Sequence, residues 1–108
     1  MARFLVLYRA PVSAREQMAN VTPEQAQAGM DLWRAWAGRA GDAIIDLGAP
    51  LADPAMVGNG EAYDDLAGYS ILEAVSRDAM VELLESHPHF HTPGAQVEVH
   101  EMLSMPGT

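Results

Sequence analysis

The chain has 108 residues, 49% of them apolar and 19% charged, which is the composition of one folded domain rather than of a disordered or low-complexity segment. Its 15 acids against six arginines, with no lysine, leave a net charge of −9, so the surface repels phosphate backbones and no nucleic-acid partner is expected. The lack of cysteine excludes disulfides, a thiol nucleophile and thiolate metal sites. The longest strongly apolar run, residues 4–8, is too short for a membrane span or a secretory leader, so a cytoplasmic protein with a single domain over residues 1–108 is expected.

The first predicted element is a strand over residues 3–8, with Phe4, Val6 and Tyr8 on one face and Leu5 and Leu7 on the other. Apolar residues on both faces suit a central strand covered on both sides. Pro11 ends it, and residues 13–21 read as a polar connection with little pattern. Thr22-Pro23-Glu24-Gln25 then has the form of a helix start: Thr22 as N-cap, Pro23 at N1 and Gln25 placed to close a capping box. Ala26, Met30, Trp33, Ala37 and Ala40 fall on one stripe, flanked by Gly29, Leu32 and Trp36, and Gly41 suits the helix end.

A short second strand is expected over residues 43–47, broken by Gly48-Ala49-Pro50. Residues 52–65 carry turn residues and no period, and loops of that length often line sites. A third strand follows over residues 68–73, then a helix capped by Ser76 with Asp78 in its first turn. Met80, Leu83, Leu84 and His87 keep helical spacing up to Pro88, which stops the helix. Gly94 turns the chain, and Val97, Val99 and Glu101 alternate with Glu98, His100 and Met102 in a last strand. The tail over residues 104–108 is expected to be loose.

The order β-α-β-β-α-β is the split pattern of a ferredoxin-like α+β domain: a four-stranded antiparallel sheet, strand order 4-1-3-2, with two helices on one face. Two helices cover one sheet face only. The other face calls for a second copy packed sheet on sheet, so a homodimer is expected from the pattern alone.

Several stretches carry a resemblance. GYSILEA, a short helix, HPHF and then GAQVEVHEML are similar to the C-terminal half of YCII-related proteins, in the dimeric α+β barrel superfamily. RFLVLYR, the tryptophan-bearing first helix and Gly48-Ala49-Pro50-Leu51 are similar to their N-terminal half, so the likeness spans residues 3–105. The resemblance implies a dimeric α+β barrel with a cleft between sheet and helices, a His-Asp pair as the site in some members, and a dehydrochlorinase activity in one relative. The chain differs where those members place a first-helix histidine, having Met30-Asp31, and where they have Asp-Pro-Phe or Asp-Pro-Tyr, having His87-Pro88-His89-Phe90; acid and base stand exchanged.

The candidate site residues follow from both readings. His87 with Asp31, or with another acid such as Asp46, would form an acid–base pair, because histidine titrates near neutrality and a carboxylate fixes its tautomer. Placed at a helix end, His87 would have its pKa raised by the dipole. Trp33, Trp36 and Tyr69 would wall a ligand cleft, and Arg9, like Arg34, would receive an anionic group. Glu73 on a central strand is expected at the strand's solvated end. His87, His89 and His91, spaced i, i+2, i+4, would point to one side of an extended segment and are weak candidates for a divalent metal. The bland alternatives are a helix-end histidine beside two solvated turn histidines, and tryptophans that only fill the core or the dimer contact. The expected function is a small-molecule enzyme or ligand-binding protein working by acid–base chemistry with no tightly bound organic cofactor. The alternatives are a non-catalytic dimeric module and a metal-binding protein.

Overall fold

The computed structural model describes residues 1–62 and 65–107; Tyr63, Asp64 and Thr108, part of the expected turn at 64–65 and of the expected tail, lie outside the described residues. The elements are β1 (Ala2–Arg9), α1 (Ala14–Ala19), α2 (Pro23–Ala40), β2 (Ile44–Pro50), β3 (Leu66–Ala74), α3 (Arg77–Leu84) and β4 (Gln96–Glu101), with 3-10 turns at Gly41–Ala43 and Pro88–His91. The four strands form one sheet in the order β2-β3-β1-β4, and every pairing is antiparallel. The most apolar strands, β1 and β3, are therefore the central pair, as their composition requires.

The period of two in β1 decides where the core lies. Phe4, Val6 and Tyr8 are buried, and they stand opposite Leu72, Ser70 and Gly68 of β3 and Glu101, Val99 and Val97 of β4. Trp36 from α2 and Met80 and Leu84 from α3 pack onto this same face, completing a ferredoxin-like α+β core with the long helices on one side. The odd residues Leu5, Leu7, Tyr69 and Ile71 share the other face and stay half-buried.

The start of α2 is built as its sequence predicts. Thr22 Oγ1 accepts from the Gln25 backbone N–H at 3.1 Å, and Gln25 Oε1 accepts from the Thr22 N–H at 2.9 Å. The burial of the helix is shifted by one position. Trp36 is its buried residue, whereas Trp33 is partly exposed and Met30 is 50% exposed, so the first half of the predicted stripe does not reach the sheet.

Three other expectations are corrected. Residues 14–19 form α1, not an irregular connection: Ser13 Oγ caps it by accepting from the Glu16 N–H at 3.2 Å, and six residues with one buried side chain, Ala14, are too few to show a period. β2 continues through Gly48 to Pro50. It is an edge strand with two register shifts, where proline and glycine are tolerated. Gly48 has φ +83, and a Cβ there would lie 1.7 Å from the Tyr69 carbonyl oxygen. Finally, α3 ends at Leu84, so His87 is not on it; extended at φ −67 and ψ 136, as a residue before proline is biased to be, His87 instead caps the 3-10 turn Pro88–His91.

Candidate functional site

A cleft of about 510 Å3 opens between α1, α2, the end of β2 and the 3-10 turn Pro88–His91. Its walls are mostly apolar: Met18, Met30, Leu32, Trp33, Ala37, Leu47, Ala49, Pro50 and Ala67. Tyr8 forms part of its floor, and the polar side chains at its border are Gln17, Arg34, His89, His91 and Thr92. The described residues of the 51–65 connection do not line it. Leu51, Ala52, Pro54 and Met56 border a separate hollow of about 290 Å3 with Leu66.

The polar atoms at the base of the cleft form a directed chain. Tyr8 donates its hydroxyl to Ser70 Oγ at 2.9 Å, and Ser70 donates to the Leu47 carbonyl at 2.6 Å. Burial pushes the Tyr8 phenol above its ordinary value, against the smaller lowering effect of the Ser70 hydrogen bond, so it stays a neutral donor. Trp33 meets the Tyr8 ring edge-on at 5.3 Å between centroids.

Two histidines stand behind and beside these rings. His87 is 1% exposed and sits in a box of aromatic rings, with centroids at 4.4 Å to Trp33, 4.4 Å to Trp36 and 4.8 Å to Tyr8. Its Nδ1 accepts the His89 backbone N–H at 2.9 Å, which requires an unprotonated Nδ1 and places the proton of the neutral ring on Nε2. That Nε2 is buried with no hydrogen-bond partner among the described residues. Burial, and secondarily the neighbouring His89, lower the His87 pKa to about 3, the reverse of the rise expected from a helix end. His89 turns its Nε2 to the Arg9 carbonyl at 2.8 Å. A carbonyl only accepts, so Nε2 carries a proton and, in the neutral ring, Nδ1 is the free lone pair.

The remaining predicted site residues are dispersed. Asp31 is exposed on the outer side of α2, accepting from Gln27 Nε2 at 2.8 Å and lying 3.9 Å from the Arg34 guanidinium; it makes no contact with His87. Asp46 accepts from the Gly48 N–H at 2.9 Å and the Tyr69 hydroxyl at 3.4 Å, again away from His87. Trp33 walls the cleft. Trp36 does not: it is fully buried, with Nε1 donating to the Leu83 carbonyl at 3.3 Å. Tyr69 borders the cleft, while its hydroxyl serves Asp46 and its ring follows Leu7 onto the opposite sheet face. The Arg9 guanidinium is also outside the cleft, paired with Asp65 at 2.6 Å and Glu98 at 2.8 Å. Glu98 also binds His100, and these hydrogen bonds, that of His100 first and that of Arg9 second, hold its carboxyl below the usual range.

Among the described residues, no three His, Asp or Glu side chains are grouped to hold a metal ion. The i, i+2, i+4 spacing of His87, His89 and His91 would align them only on an extended segment. The 3-10 turn rotates His89 away, leaving the His87 and His89 ring centroids 6.5 Å apart, while His91 is exposed at the cleft border.

The site residues that the sequence did not single out are Tyr8 and Ser70, while the histidine spacing offered His89 only as a candidate metal ligand. Tyr8 was readable, since it alternates with the core residues Phe4 and Val6. His89 was not, because its placement depends on the turn after Pro88.

No family model matches the chain, and no curated protein matches it. Among solved structures, the chain is similar to 5-chloro-2-hydroxyhydroquinone dehydrochlorinase from Burkholderia phenoliruptrix AC1100, in its complex with 2,5-dihydroxybenzoquinone. The identity is 22% and the TM-score 0.49, over 89% of this chain and 90% of that one. A similarity of this degree assigns neither a family nor a reaction.

Proposed function

We propose that the cleft binds a small, largely apolar molecule carrying one acidic proton or hydrogen-bonding group, and that His89 is the side chain that meets that group. The observation that carries this reading is the His89 tautomer. With Nε2–H committed to the Arg9 carbonyl, the neutral ring keeps Nδ1 as its acceptor, and His89 lines a cleft whose other walls are mostly apolar. An apolar cleft with few placed polar groups is the usual form of a small-molecule site. A neutral imidazole there can take a proton from a bound molecule and return it, which is the chemistry of a general base. Arg34, exposed at the same border, gives an anionic substituent a place at the mouth.

The half-buried apolar residues Leu5, Leu7 and Ile71 on the helix-free sheet face favour a second copy as its cover, with C2 symmetry. The Arg9–Glu98 pair and His100 would then stand at the rim of that contact. This assembly, and the likeness in RFLVLYR, GYSILEA and GAQVEVHEML, favour a place among YCII-related dimeric α+β barrels.

The test is a nuclear magnetic resonance screen of small phenols, aromatic acids and aliphatic acids against 15N-labelled protein. Shift changes should concentrate on Gly29, Trp33, Ala67 and His89, and His89→Ala should abolish or weaken them. Binding confined to the opposite sheet face, or no binding across the panel, would overturn the proposal. Light scattering tests the assembly separately, with twice 11.6 kDa expected for the particle.

A further inference from the structure

His87 is the most buried titratable side chain near the cleft, yet it does not line it. It is 1% exposed, its Nε2 has no partner among the described residues, and its ring is enclosed by Tyr8 from β1 and by Trp33 and Trp36 from α2. A group so enclosed cannot exchange a proton with a bound molecule without leaving its box. What it does contact is the turn that carries His89: Nδ1 receives the His89 backbone N–H, and the His87 carbonyl receives the Phe90 N–H at 3.2 Å.

We infer that His87 is a positioning residue, whose Nδ1 locks the 3-10 turn Pro88–His91 and thereby sets the direction of the His89 ring at the cleft. This rests on the reading of His89 as the working group, though the lock itself is testable without any ligand. The geometry gives the reason for a histidine. The turn begins at a proline, so the capping side chain must reach over Pro88 and accept from the residue after it. An imidazole does this with Nδ1 while its remaining ring atoms fill the aromatic box. Its Nε2–H has no hydrogen-bond partner among the described residues, which is the cost of this placement. The titratable groups packed against His87 are Tyr8 and His89; among the described residues no carboxylate forms an ion pair or hydrogen bond with it. Nothing on β1, α2 or the turn therefore favours the imidazolium, and the acceptor state is the one the site holds.

The experiment uses the full chain labelled with 15N and no ligand. In the wild type, a scalar coupling across the hydrogen bond should join the His89 backbone nitrogen to His87 Nδ1, and the ring spectrum should show the Nε2–H tautomer at both residues. His87→Phe keeps an aromatic ring in the box and deletes the acceptor; His89 should then lose its single tautomer and show exchange between two. His87→Asn keeps an acceptor, since a side-chain amide oxygen before proline closes the same turn, and should restore the single tautomer. An absent wild-type coupling, or an unchanged His89 ring spectrum in a folded His87→Phe protein, would overturn the lock. If His87→Phe does not fold, the wild-type coupling and the His87→Asn ring spectrum decide alone. Binding of 1-anilinonaphthalene-8-sulfonate is followed in parallel. A dye that misses the cleft while the coupling is present counts against the cleft, not the lock.

Discussion

Tyr8 and Ser70 stand diagonally across β1 and β3 and share one buried hydrogen bond of 2.9 Å, with Tyr8 as donor and Ser70 in turn donating to the Leu47 carbonyl at the sheet edge. The two residues respond differently to deletion because the chain has a direction. Tyr8→Phe leaves Ser70 still bonded to the Leu47 carbonyl, and should cost about 0.5–1.5 kcal/mol. Ser70→Ala strands a buried phenol hydroxyl and a carbonyl, and should cost more, about 1–3 kcal/mol for an unpaired group. Urea unfolding of both single variants and the double variant measures this. The double variant should be less destabilised than the sum, and strict additivity would remove the bond as an energetic link.

The two tryptophans separate core from cleft. Trp36 is fully buried and donates to Leu83, so Trp36→Ala should cost about 3–5 kcal/mol, the range for truncating a large core aromatic. Trp33 is partly exposed on the cleft wall and should cost roughly half as much on truncation. Its loss should instead enlarge the cleft and weaken ligand binding. Equal losses of stability at the two positions would mean that Trp33 belongs to the core and that the cleft is narrower than its walls suggest.

Glycine-to-alanine changes should have opposite signs at two positions. Gly48 has φ +83 and its backbone presses on Tyr69, so Gly48→Ala forces β2 away from β3 and should cost more than about 2 kcal/mol. Gly38 is exposed within α2 with nothing within 4 Å of an added Cβ, so Gly38→Ala should stabilise by about 0.5–1 kcal/mol. Thermal unfolding of the pair gives the check, and a tolerant Gly48→Ala would mean that the strand pairing at Tyr69 is loose.

These contrasts show what the sequence could and could not reveal. Strand order, the capping box at Thr22 and the two-sided alternation of β1 follow from the order of the elements, local chemistry and a period of two, and all were legible; which face of β1 turns to the helices was not. The position of Trp36 was less so, because a stripe of 3.6-residue period tells which residues share a face, not which end of the helix overhangs the sheet. Six-residue α1 offered too short a pattern. The site was least legible. Pairing His87 with Asp31 needed a helix face and a turn to converge, whereas Asp31 points to solvent and His87 into an aromatic box. Pro88 announced a break in the helix but not whether the next four residues would be extended or wound into a 3-10 turn, and that alternative decides which histidine meets the cleft.

The His87 box also sets how the protein responds to acid. The ring is neutral when folded down to about pH 3, against an ordinary value of 6.5 when unfolded. Between these values the unfolded chain binds a proton that the folded chain refuses. Stability is therefore complete above 6.5 and falls as pH drops below it, approaching a slope of about 1.4 kcal/mol per pH unit until the folded ring itself titrates. Glu98, whose carboxyl is held below its usual range by His100 and Arg9, adds a loss in the same direction only once pH falls toward and below 4.5. The window from pH 6.5 to 5 thus separates the effect of His87 from that of Glu98, and the His87→Asn comparison separates it from the other histidines. Urea midpoints measured across it should decline in the wild type and stay nearly level in His87→Asn, whose side chain does not titrate there. Parallel slopes for the two proteins would mean that the destabilising proton goes to another residue, and that His87 is charged and accommodated in the folded state.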